Sequence, residues 1–226
     1  MAEAYIIDVV RTPVGRRNGS LSAIHPADLG AHVLKAVVER NDFDPAAVED
    51  VIFGCLDQIG PNAADIARTA WLAAGYPEEV PGTTIDRQCG SSQQALHFAA
   101  QAVMSGTQDL VIAGGVQNMS AIPIGAAWRI AEPYGFKNPF EGSVGWEARY
   151  GKQMISQFTG AEMIAHKWEI SRQDMEEFAY QSHQRALHAI DEGRFEREIV
   201  AINDVTTDEG PRRDTTLEKM ATLKTL

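Results

Sequence analysis

Cysteine is scarce in this chain: Cys55 and Cys89 are the 2 cysteines among 226 residues. Two thiols cannot staple a disulfide scaffold, so the fold must rest on a buried apolar core. Long apolar runs are missing as well. None reaches the roughly 18 residues that a membrane span needs, so no membrane partner is expected. The N-terminus has no basic stretch followed by an apolar one, which would mark a secretory signal. Both cysteines are therefore expected to be reduced thiols of a cytoplasmic protein. Basic tracts are absent too. Against 31 acidic residues stand 20 lysines and arginines, a net charge of −11, so general nucleic-acid binding is a poor expectation. An anionic ligand would need local cations or helix N-termini. What remains is ordinary: 44% hydrophobic and 23% charged residues. That composition and length suit one large domain, or a core with a subdomain, and not a disordered chain.

The first 120 residues alternate strand and helix signals. Tyr5–Val10 is short, apolar and β-rich, and Pro13 disfavours its continuation. Asp28 is a candidate N-cap for a helix over 28–40, with Leu29, Val33, Ala36, Val37 and Arg40 at helical spacing. Val51–Leu56 reads as a strand, and 63–74 as a helix with an alanine-rich face stopped at Gly75. Thr83–Asp86 is β-like. Residues 89–105 read as a buried helix ending at Gly106, and Leu110–Ala113 as a buried parallel strand before Gly114-Gly115. Such alternation predicts an α/β layered fold.

After Ser120 the pattern changes. Residues 121–150 hold three prolines, several glycines and Trp128, Tyr134, Phe136, Phe140, Trp146 and Tyr150. Two readings stand: an excursion packed by its own side chains, or a loop that covers a ligand. A short helix is expected over 160–168. Ser171 and Asp174 form a capping-box start to a helix reaching about Asp191, with Met175, Phe178, Ala179, Ala186 and Ile190 on its apolar side. Glu198–Asn203 is a short strand candidate.

The segment richest in chemistry is Thr83-Thr84-Ile85-Asp86-Arg87-Gln88-Cys89-Gly90-Ser91-Ser92-Gln93-Gln94-Ala95. It puts a cysteine where a β-like stretch meets a helix. Exposed amides and the helix dipole there favour a thiolate, the nucleophilic form. The competing reading is a small buried core residue, the commonest role of a free cysteine. No histidine pair has metal-ligand spacing. His32 and His97 are read as packed or surface residues, His166, His183 and His188 as solvent-facing, and His25 as a loop residue without chemical context.

Residues 83–95 resemble the nucleophilic-cysteine motif of the thiolase family, which includes acetyl-CoA acetyltransferases and 3-ketoacyl-CoA thiolases. Other segments are similar in the same order. Arg11-Thr12-Pro13-Val14-Gly15-Arg16 resembles the opening strand and loop, and Gly114-Gly115-Val116-Gln117-Asn118-Met119-Ser120 the turn after the fourth strand. Gly160-Ala161-Glu162 resembles the start of the loop domain, and Arg212-Arg213-Asp214-Thr215-Thr216-Leu217-Glu218 its coenzyme A segment. The resemblance runs from about residue 4 to the last residue.

The resemblance implies the N-terminal half of a layered αβα fold, with an α/β core over 1–120 and an inserted coenzyme A-covering subdomain over 121–226. It implies an acyltransferase in which Cys89 carries the acyl group as a thioester. The Cys89 amide would be one oxyanion donor, and Arg212, Lys219 and Leu223 would lie along coenzyme A. Substrates would be acyl-CoA and coenzyme A, with no metal or redox cofactor, in a homodimer or homotetramer. Two departures stand out: Ser156-Gln157-Phe158 replaces the family's His-Met-Gly, and Cys89-Gly90-Ser91-Ser92 replaces Cys-x-Ser-Gly. The family's second half brings Gly-His-Pro, Asn-Glu-Ala-Phe-like and Cys-x-Gly segments, and none of them occurs in these 226 residues. Cys55, followed by Leu56-Asp57, is read as a structural strand residue. The chain alone is thus expected to be inactive. The alternative is a non-catalytic thiolase-like chain that binds acyl-CoA or a partner.

Overall fold

In a computed structural model, residues 3–153 and 155–225 are described. At the centre lie three parallel strands, β1 (Asp50–Gly54), β2 (Gly82–Ile85) and β3 (Val111–Gly115), in the order β2–β1–β3. Gly54 is level with Ile85 on one side and with Gly115 on the other, so all three strands end together. Strand alternation sends successive β1 side chains to opposite layers. Val51 and Phe53 join the core against α1 (Pro26–Asn41) and α2 (Ile66–Ala73), where Leu34, Val38, Ala67, Ala70 and Trp71 are buried. Ile52 faces α3 (Ser91–Ser105) through Ala95 and Ala99. The expected α/β layering is therefore present, with helices on both faces.

Local chemistry sets the boundaries. α1 starts at Pro26, whose missing N–H costs nothing at a first helical position. Its N-cap is His25, whose Nδ1 accepts the Ala27 amide at 3.2 Å, and not Asp28, which sits in the first turn. The buried face also differs from the expected one, and holds Leu29, Gly30, Ala31, Leu34 and Val38. Gly30 is the reason: a Cβ there would come within 2.7 Å of the Ala70 Cβ, so α1 and α2 pack through a glycine contact. α2 begins later than 63 because Ala64 and Asp65 both take positive φ. Asp65 then accepts the Arg68 amide at 3.5 Å and the Thr84 hydroxyl at 2.5 Å.

Two expected strands do not form. Residues 4–10 have no ladder partner among the described residues, and Tyr5, Ile6, Ile7 and Val9 are exposed. A strand is stable only when its amides and carbonyls are paired. Just past residues 4–10, Arg11 bridges Ile199, and within Glu198–Asn203 Ile202 also bridges Val205. Side chains reinforce this clasp. Arg11 forms a two-pronged pair with Asp208 at 2.7 and 3.0 Å and meets Glu198 at 2.7 Å.

The later residues form α4 (Ala126–Arg129), α5 (Val144–Tyr150), α6 (Gln157–Lys167), α7 (Arg172–Asp191) and α8 (Leu217–Ala221). The Ser171–Asp174 capping box is present in full. The apolar side expected of α7 is not wholly covered, since Phe178 is 76% exposed. Burial on α7 is instead at Leu187, towards its C-terminal end. Among the described residues, no helix is long and apolar enough to cross a membrane.

Candidate active site

Cys89 lies in the turn between β2 and α3, above the C-terminal ends of the strands. Gln88 takes φ +49, so the chain reverses sharply just before the cysteine. The turn is held by local bonds. The Gln88 amide donates to Asp86 Oδ1 at 2.7 Å, the Arg87 amide to Ser91 Oγ at 2.8 Å, and the Ser91 hydroxyl to the Gln88 carbonyl at 2.6 Å. Cys89 is exposed, and Cys55 is buried. The amides of Cys89, Ser92 and Gln93 meet no acceptor among the described residues. Those of Ser92 and Gln93 are orphan donors of the start of α3 and carry its positive potential, and the Cys89 amide adjoins them. An anionic or polarised oxygen beside Cys89 would find donors already oriented.

Two glycines bring α3 down onto the sheet. A Cβ on Gly54 would run into the backbone of Ser91 and Ser92, and one on Gly115 into the Ser92 side chain. The result is a depression of about 230 Å³ lined by Gly54, Cys55, Leu56, Gln88, Cys89, Ser91, Ser92, Gly115, Val116 and Gln117. It sits outside the carboxyl ends of parallel strands, where α/β folds bind ligands.

Cys55 shares the depression but not the chemistry. It packs with Ala27 and Ile66 on the α1/α2 side. Its Sγ donates to Gln117 Oε1 at 3.3 Å. Burial, then the charges of Asp86 and Asp57, push its thiol up to about 11, so it stays protonated at neutral pH. This agrees with a structural role.

Two buried polar residues next to the lining brace the neighbouring segments, and neither was assigned a role from sequence. Asn118, 6% exposed, donates to the carbonyls of Ser22 and Ile24 at 3.0 and 2.8 Å and accepts the Ser120 and Ala121 amides. Asp57, also buried, accepts the Gly125 and Ala127 amides. A buried Asn inside a matched motif is the signal that was available for the first. For Asp57 there is none, because its partners lie 68 and 70 positions away.

Arg212, Lys219 and Leu223 share one exposed segment against α7. The Arg212 amide donates to His183 Nδ1 at 3.2 Å, and its guanidinium points into no ion pair among the described residues. His183 is therefore half-buried and engaged rather than free on the surface. Lys219 pairs with Asp214 at 3.1 Å, and Arg172 donates to the Leu223 carbonyl at 3.1 Å. No hydrogen bond joins this segment to 86–92 among the described residues. Among the described residues, no three His, Cys, Asp or Glu side chains gather as metal ligands would.

The model of the thiolase N-terminal domain matches residues 4–226. The chain belongs to the thiolase family. It is 57% identical over its whole length to steroid 3-ketoacyl-CoA thiolase FadA6 of Mycobacterium tuberculosis, covering 56% of that protein. It is 40% identical to a beta-ketoadipyl-CoA thiolase of Acinetobacter baylyi over 99% of this chain and 60% of the relative. Among solved structures, the acetyl-CoA acetyltransferase of Bacillus anthracis aligns with TM-score 0.78 and 32% identity, over 99% of this chain and 59% of that one. The chain therefore matches the N-terminal part of these thiolases and spans less than two thirds of their length.

Proposed function

We propose that this chain is the nucleophile-bearing part of a degradative 3-ketoacyl-CoA thiolase. The observation that carries the reading is the exposed Cys89 at the start of α3, beside unpaired amides and inside the matched motif. In this reading the Cys89 thiolate attacks the C3 carbonyl carbon of a 3-ketoacyl-CoA. The C2–C3 bond breaks, and acetyl-CoA leaves after its C2 carbon takes a proton. The shortened acyl group stays on Cys89 as a thioester, and the thiol of coenzyme A then removes it. Splitting the reaction in two avoids one difficult displacement. The Cys89 amide stabilises the developing oxyanion.

Residues 121–226 cover coenzyme A in this reading, with Arg212 at its nucleotide end and Lys219 and Leu223 alongside. A guanidinium suits phosphate or an adenine face. Support for the substrate class comes from the relative with 57% identity, which is named a steroid 3-ketoacyl-CoA thiolase. Bulky, steroid-derived 3-ketoacyl thioesters are therefore proposed ahead of short linear ones. The reading also carries a cytoplasmic homodimer or homotetramer and needs no metal or redox cofactor.

The test is thiolysis by the full-length protein, supplied with coenzyme A and either a steroid-derived 3-ketoacyl-CoA or acetoacetyl-CoA. Higher kcat/KM on the bulky substrate supports the reading. Turnover that persists in Cys89→Ala would overturn it.

A further inference from the structure

We propose that Asp57 is a positioning residue. Its buried carboxylate fixes the 121–150 excursion at the rim of the Cys89 depression, and through it sets how tightly an acyl-CoA is held. For the substrate this rests on the function proposed above; for the fixation itself it does not.

Asp57 is 5% exposed. Oδ2 accepts the Gly125 amide at 2.9 Å and Oδ1 the Ala127 amide at 2.7 Å. No lysine or arginine pairs with this carboxylate among the described residues. A buried carboxylate without a cation is costly unless every oxygen is hydrogen-bonded. An exposed serine or aspartate could cap so short a helix as α4 without that cost. The burial ties the cap to a place, and the place is the rim. Asp57 stands two residues beyond Cys55, which lines the depression, and the excursion follows Gln117, another lining residue, whose Oε1 accepts the neighbouring Leu56 amide at 3.2 Å.

Asn118 holds the root of the excursion by accepting the Ser120 and Ala121 amides at 3.1 Å each. Asp57 holds it again at 125–127. From there an aromatic stack carries the constraint outward. Ring centroids lie 5.4 Å apart for Trp128–Phe140, 4.4 Å for Phe140–Trp146 and 4.6 Å for Trp146–Tyr150. The Asp57 carboxylate thus anchors the inner end of the stacked segment, beyond the root that Asn118 holds.

Asp57→Asn in the full-length protein isolates the carboxylate. Asparagine tolerates the φ of +51 found at this position, so the backbone is spared. It keeps one acceptor oxygen and turns an NH₂ towards the other amide. Hydrogen–deuterium exchange over 121–150 should speed up by about tenfold, with α1, α2 and α3 unchanged. KM for the 3-ketoacyl-CoA should rise about three- to tenfold, with kcat within about twofold. Unchanged exchange in 121–150, or faster exchange spread over the whole chain, would overturn the fixation. Faster exchange confined to the excursion with an unchanged KM would overturn its role in holding substrate. Absence of thiolysis in the wild type would overturn the functional reading and the substrate half of this proposal, while exchange would still decide the fixation.

Discussion

Gly54→Ala puts the packing beneath Cys89 to the test. Gly54 ends the central strand, and its α-carbon faces the first turn of α3. An added methyl would lie 2.7 Å from the Ser91 Cβ and closer still to the Ser92 nitrogen and the Ser91 carbonyl carbon. Two of these three atoms are backbone, so no side-chain rotation relieves the clash. Comfortable contact needs about 3.5–4 Å, so the start of α3 must lift by roughly 1 Å. Overpacking of this kind costs about 1–3 kcal/mol. A misplacement of about 1 Å at a reacting group costs on the order of a hundredfold in rate. Urea unfolding should show the stability loss, and the rate of Cys89 alkylation by iodoacetamide should change with the new helix position. Gly90→Ala is the control. Its Cβ would meet nothing closer than the Arg87 carbonyl oxygen at 3.5 Å, so stability should hold although the residue adjoins Cys89. Wild-type stability and alkylation rate in Gly54→Ala would refute the idea that close packing on the strand ends places the cysteine.

Arg212→Ala should raise KM for coenzyme A substrates about three- to tenfold while leaving kcat nearly unchanged, as loss of uniform binding does; an unchanged KM in steady-state kinetics counts against the assignment. Asp208→Asn should destabilise the clasp by about 1.5–3 kcal/mol in urea unfolding, since it weakens charge-assisted bonds to Arg11. Burial pushes the Asp208 carboxyl up, but Arg11 and the Val14 amide outweigh it, and the net shift is below the ordinary 3.8. The folded state therefore binds this proton less readily than the unfolded one. The contribution is complete above about pH 4 and is lost as pH falls through the folded value, so acid unfolding should begin at higher pH in Asp208→Asn. Native alkylation at pH 8 should mark Cys89 and spare Cys55, whose thiol is held near 11 by burial and two carboxylates. Residues 1–226 expressed alone should show no thiolysis, because a base and proton donor for the reaction come from outside this sequence in the family's pattern.

What was legible in the sequence was what neighbours within a few residues decide. The Ser171–Asp174 box needs only its own turn, and Gly106, at φ +74, ends α3 where a left-handed residue is wanted. The core strands were legible because β1 is buried on both faces and reads as a continuous apolar run. Tyr5–Val10 has the same apolar character, but pairing depends on a partner elsewhere in space, and pattern alone cannot supply one. The cysteine site was half legible. Its helix-start position and motif were visible; the bonds that brace the neighbouring segments were not, because Asn118 reaches back more than 90 positions and the partners of Asp57 lie 68 and 70 positions away. His25 was misjudged for a smaller reason. Imidazole is an uncommon N-cap, although an unprotonated Nδ1 accepts an amide as a carboxylate oxygen does.

The central claim is that Cys89 carries the acyl group. Incubating the full-length protein with acetyl-CoA, quenching in acid and mapping peptides by mass spectrometry tests it most directly. The expected result is an added acetyl group on the peptide containing Cys89, removed by coenzyme A and absent in Cys89→Ala. Acetylation at Cys55 with Cys89 unmodified would contradict it.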